Sequence, residues 1–78
     1  MAQRIPAVKP REVIQVLEAA GFSAEHQTGS HMIMRHGESG RKVTVPYHGR
    51  DLKRSTLAAI LRQAGLSRQE FLRLLRRE

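Results

Sequence analysis

No cysteine occurs among these 78 residues, so the chain lacks a disulfide to staple its fold, a thiolate to bind metal and a thiol to act as nucleophile. Tryptophan is absent too, and beyond histidine the aromatic residues are Phe22, Tyr47 and Phe71. So few rings argue against recognition by base stacking on an aromatic platform. No stretch approaches the ~20 apolar residues of a membrane-spanning helix. The opening Met1-Ala2-Gln3-Arg4 does not lead into an apolar run of the signal-peptide kind. A soluble, cytoplasmic protein without membrane association is expected. Acidic residues are scarce: seven Asp and Glu face fourteen Lys and Arg, for a formal charge of +7. That excess attracts polyanions, of which nucleic acid is the commonest, although an acidic protein surface would match it as well.

The length suits one domain over residues 1–78 with a modest core. Val13, Ile14, Leu17 and Ala20 recur at helical spacing between Pro10, suited to a first turn, and Gly21, suited to the position past a helix end. Phe22 to Thr28 reads as a short polar strand broken by Gly29-Ser30. Two further strands, His31 to His36 and Arg41 to Tyr47, flank a turn at Gly37-Glu38-Ser39-Gly40. Setting His36 opposite Arg41 pairs Met34 with Val43 and Met32 with Val45, gathering these four on a face to be buried. His31, Ile33, Arg35, Lys42 and Thr44 then share the other face. A slip of one residue would bury the charges. In this register His48 is a diagonal neighbour of His31 on the open face, ~7–8 Å away.

Leu57, Ile60, Leu61 and Ala64 mark a second helix, approached through polar residues Asp51 to Arg54 and closed by Gly65. Ser55 and Ser67 read as helix caps, and Ser67-Arg68-Gln69-Glu70 has the form of a capping box. A last amphipathic helix over 68–76 turns Phe71, Leu72, Leu74 and Leu75 to the core and Arg68, Arg73, Arg76 and Arg77 to solvent. The predicted fold is α+β, a three-stranded antiparallel sheet with helices on one face in the order α-β-β-β-α-α. This is the order of the double-stranded-RNA-binding domain, and it leaves the basic sheet face open.

His26, His31, His36 and His48 include no pair at the i, i+4 helical spacing of zinc enzymes, so neither a metal nor another cofactor is expected. No nucleophile elbow surrounds a serine, and no glycine-rich phosphate loop is present. What remains is histidine on a basic sheet face. RNA cleavage without metal needs a base for the ribose 2′-OH proton and an acid for the leaving oxygen, and histidine can serve as either near neutral pH. Arg35 and Lys42 could hold phosphate and stabilise developing charge, with Thr44 and Ser30 as further RNA-contacting candidates.

Five blocks, in order, are Leu17-Glu18-Ala19-Ala20-Gly21-Phe22, Gly29-Ser30-His31, Thr44-Val45-Pro46-Tyr47-His48, Thr56-Leu57 and Ile60-Leu61-Arg62-Gln63-Ala64-Gly65-Leu66. Together they resemble the HicA toxin family from about Ile5 to Ser67. The resemblance implies a messenger-RNA-cleaving toxin of a type II toxin–antitoxin system, an endoribonuclease with a double-stranded-RNA-binding-like fold. It also implies neutralisation by a HicB-type antitoxin, which would cover the His31 face. The family's catalytic histidine is the one in Gly-Ser-His, here His31, and the histidine after Val-Pro-x corresponds to His48. Ser55 departs from the pattern, standing where the family often has glycine. Two other readings stand beside this one: a non-catalytic RNA-binding module of the same fold, and a basic protein matched to an acidic protein partner.

Overall fold

A computed structural model describes residues 5–76 of the chain; Arg77, expected at the solvent face of the last helix, lies outside the described residues. The first helix, α1, runs Pro10–Ala19. Proline at its first position gives up an amide that the helix could not use. Glu12 Oε1 accepts the Lys9 backbone N–H at 2.8 Å, tying down the entry. Its core face is Pro10, Val13, Val16 and Leu17, while Ile14 and Ala20 pack at the margin. Val16 thus takes the buried place that spacing assigned to Ile14.

Gly21 follows the end of α1 with φ 103°, a conformation that side chains with a Cβ rarely adopt. A Cβ here would stand 2.7 Å from His36 Nε2. That ring has little freedom to retreat, because it meets Phe22 edge-on with centroids 5.0 Å apart. Its Nδ1 also accepts the Glu38 and Ser39 N–H groups at 3.2 and 3.1 Å. His36 is therefore a turn-stabilising residue. Gly21→Ala is expected to cost about 1–3 kcal/mol, lowering the thermal midpoint by at least about 4 °C. A melting curve overlaying the wild type would show that the turn adapts freely.

The sheet has the order β1-β2-β3, with strands Phe22–Thr28, His31–His36 and Lys42–Pro46, all antiparallel. The register between β2 and β3 is the predicted one: Met32↔Val45, Ile33↔Thr44, Met34↔Val43 and Arg35↔Lys42, closed by the His36 N–H donating to the Arg41 carbonyl at 2.9 Å. Pairing stops one residue short of the expected strand at each end, since Arg41 and Tyr47 lie outside the ladder. Met34, Val43 and Val45 are completely buried and Met32 half-buried.

Helix α2, Arg54–Ala64, buries Leu57, Ile60, Leu61 and Ala64 and ends on Gly65 in the left-handed conformation. Ser55 is not its cap. The cap position is Lys53, which makes no side-chain bond, and Ser55 lies inside the first turn. The C-terminal end is covered instead by Arg41, whose Nη1 donates to the Gln63 carbonyl at 3.1 Å, a placement favoured by the helix dipole. Helix α3, Arg68–Leu75, starts at the predicted capping box: Glu70 N–H donates to Ser67 Oγ at 3.0 Å and Ser67 N–H to Glu70 Oε1 at 2.9 Å. The bond from the Ser67 N–H, helped by the Ser67 side chain, holds the Glu70 carboxyl below the usual carboxylate range. Arg76, expected as its last residue, is the C-cap. The described fold is α-β-β-β-α-α with α1 against β1, β3 and α3, and α2 against β3. Val8 and Leu52, both buried, join the segments before α1 and α2 through a 2.8 Å bond from the Leu52 N–H to the Val8 carbonyl. Leu52 falls in the stretch read as a polar approach.

Candidate functional site

The open sheet face is assembled by side-chain alternation. His31, Ile33 and Arg35 of β2 stand opposite Pro46, Thr44 and Lys42 of β3, all on the side away from the core. On the other flank β1 departs from simple alternation. Ala24 pairs with Met34, yet His26 pairs with Ile33, so one extra residue is accommodated between them as a β-bulge. The bulge resets the parity of β1, putting His26 and Thr28 on the open face, with Thr28 directly opposite His31. His26 is then a diagonal neighbour of His31, ~7–8 Å away by sheet geometry. Sequence reasoning missed His26, because an unbroken alternation from Phe22 puts it on the core side. A run of polar residues with no apolar period, Ser23 to Thr28, was the available signal.

Glu25, at the bulge, binds Arg35 with both oxygens: Nε donates at 2.7 Å and Nη2 at 3.2 Å. Arg35 Nη1 donates to the Gly40 carbonyl at 3.1 Å. The bidentate bond from Arg35 is the main reason the Glu25 carboxyl titrates below its ordinary range, outweighing the desolvation that opposes it, with the charges of Arg35, Lys42 and His26 adding to the lowering. The same bond holds the Arg35 guanidinium above its ordinary value. The pair therefore persists as pH falls through the usual carboxylate range and breaks only when pH passes the lowered Glu25 value. Arg35 and Glu25 cancel locally, which leaves exposed Lys42 as the uncompensated cation beside them.

His31 is exposed at the start of β2, and its Nδ1 lies 3.3 Å from Ser30 Oγ. Ser30 itself sits in the Gly29-Ser30 turn, where its carbonyl accepts the Tyr47 N–H at 2.6 Å. Thr44 is exposed on the face, and its N–H makes a long 3.4 Å bond to Gln63 Oε1 of α2. His48 does not lie in the ladder, which ends at Pro46. It occupies the bend that follows, with Nδ1 accepting the Arg50 N–H at 3.1 Å. The sheet thus brings together His31, Arg35, Lys42, Thr44 and His26, and it leaves His48 at its end. Among the described residues no three His, Asp or Glu side chains converge, and no helix is long and apolar enough to cross a membrane.

The sequence family described as "HicA toxin of bacterial toxin-antitoxin" matches residues 10–66, the greater part of the chain. No curated protein matches it. The matched segment runs from the first residue of α1 to just past α2 and contains the whole sheet.

Proposed function

Because this chain belongs to the HicA family of toxins from bacterial toxin–antitoxin systems, we propose that it is a metal-independent endoribonuclease acting on messenger RNA. The observation that carries the reading is His31, exposed beside Ser30 on a face that also presents Lys42 and Arg35. An imidazole there can take the proton of a ribose 2′-OH, whose oxygen attacks the adjacent phosphorus. The bond from phosphorus to the 5′-oxygen breaks, and a second acid returns a proton to that oxygen. The products are a 2′,3′-cyclic phosphate and a 5′-hydroxyl. Lys42, Thr44 and Ser30 contact the phosphate, and Arg35 adds positive charge once Glu25 yields to it. His48 is the candidate second histidine, and His26 stands as its rival because the bulge puts it on the same face as His31. A HicB-type antitoxin would silence the enzyme by covering the His31 face, excluding RNA sterically and by charge.

Induction of the wild type and of His31→Ala in cells, scoring growth and messenger RNA integrity, tests this reading. Growth arrest and RNA loss with the wild type alone support it. If the variant is equally toxic, His31 is not the catalytic group, and the binding-module reading takes precedence. Glu25→Gln gives an independent check on the charged face. It releases Arg35 for phosphate, so RNA affinity should rise by up to about 5-fold, the scale of an exposed ion pair. The log–log salt dependence should steepen by about 0.7, one extra phosphate contact on a single strand. Titrations at several salt concentrations measure both, and an unchanged slope would remove Arg35 from the phosphate contacts.

A further inference from the structure

At the end of the sheet, between the start of α1 and the residues after β3, lies a cleft of about 460 Å³ lined by Lys9, Arg11, Tyr47, His48 and Gly49. Tyr47 is the one large apolar side chain left exposed among the described residues, at 41%. Its backbone is nonetheless anchored, by the 2.6 Å bond to the Ser30 carbonyl. The lining carries two full cations and no carboxylate. His48 adds a donor: with Nδ1 accepting from Arg50, the neutral ring keeps its proton on Nε2. An aromatic face, two cations and a fixed donor around one concavity match a base with its phosphate. A run of carboxylates alone would use the cations and leave the ring in water.

We propose that this cleft binds one unpaired nucleotide of the RNA, next to the bond cleaved at His31, with the base on the Tyr47 ring and the phosphate at Lys9 and Arg11. The assignment rests on the ribonuclease reading above. Position supports it. Pro46 is the ladder partner of His31, so the Tyr47 Cα lies about 6–7 Å from that of His31 by strand geometry. Tyr47, one residue past β3, lines the cleft with Lys9 and Arg11 at the start of α1, while His31 is on the open face, so a bound RNA strand would pass over the sheet end. His48 stands at that crossing. It also lines an adjoining cavity of about 350 Å³ that offers Arg50, Lys53 and Thr56 as donors beside Asp51, a continuation of the path. The scarcity of aromatics excludes a stacking platform, but not a single stacking position.

The test uses His31→Ala protein, expected to cleave too slowly to consume the probe, and a fluorescently labelled single-stranded RNA oligonucleotide read by anisotropy. In that background Tyr47→Leu keeps apolar bulk without a π-face and should weaken binding roughly 5- to 150-fold, the range for loss of one stacked base. Tyr47→Phe should bind within about 2-fold of the parent, since the ring face is retained. An oligonucleotide with an abasic site at the stacked position should erase the difference between the two variants. Lys9→Gln with Arg11→Gln should lower affinity and flatten the salt dependence by about 1.4, two phosphate contacts on a single strand. Equal binding by Tyr47→Leu and the parent overturns the proposal, as does a Tyr47→Leu defect confined to antitoxin binding, which would make the cleft a protein-docking surface. The ribonuclease reading fails separately. If His31→Ala still cleaves, that reading falls while a Tyr47 defect leaves the nucleotide site standing.

Discussion

Purified His31→Ala is expected to cleave RNA about 10²–10⁴-fold more slowly than the wild type, the usual loss for a general acid–base group. Folding should be nearly unaffected, because His31 is exposed and its one polar contact among the described residues is the 3.3 Å approach to Ser30 Oγ. Affinity for RNA should fall only modestly, since contacts to the phosphate backbone supply most of it. Antitoxin binding should survive, since loss of one exposed ring leaves the rest of the surface in place. The same assay ranks the two candidate partners. A second group of the pair should also cost orders of magnitude in rate, whereas an idle surface histidine costs nothing. His48→Ala as the larger defect would mean that the strand end folds over toward His31 when RNA is bound, and His26→Ala as the larger would make the bulge a catalytic device. Wild-type rates for His31→Ala would remove it from the mechanism.

The hairpin was legible because two constraints agreed. The four-residue turn fixed which ends meet, and the apolar set Met32, Met34, Val43 and Val45 permitted one register, now observed in full. The capping box at Ser67 was legible for a similar reason, having two reciprocal bonds written three residues apart. What escaped is the contribution of single residues whose context is tertiary. Leu52 reads as one apolar residue in a polar stretch, and only its bond to the Val8 segment shows why it is buried. The polar run from Ser23 to Thr28 hints at an irregular strand but does not fix where the extra residue falls, so the parity that brings His26 beside His31 is set by the bulge between Ala24 and His26. For the same reason the sequence offers Arg35 as a phosphate contact without showing that the bulge supplies Glu25 as its partner. The placement of His48 as a diagonal neighbour of His31 requires a ladder that runs past Pro46, but pairing stops there and the chain turns to reach α2.

Phe71→Ala is expected to cost about 3–5 kcal/mol, the range for truncating a buried phenylalanine. The side chain is completely buried, at 0% exposure, and belongs to the same core as Val13 and Leu17 of α1. Its helix, α3, lies beyond the family match that ends at residue 66, so its part in this core is a claim about this chain rather than about the family. A core in a domain below about 70–80 residues rarely supplies more than ~3–5 kcal/mol. The one truncation is therefore comparable to the whole stability. The thermal midpoint, followed by circular dichroism, should drop by more than about 12 °C, and ending the chain after Leu66 should be at least as damaging. In cells Phe71→Ala would also be non-toxic, yet for a different reason from His31→Ala: it should lose antitoxin binding and RNA binding together with its fold. A Phe71→Ala protein that melts within a few degrees of the wild type would show that α3 merely rests on α1, and that residues 10–66 carry the fold unaided.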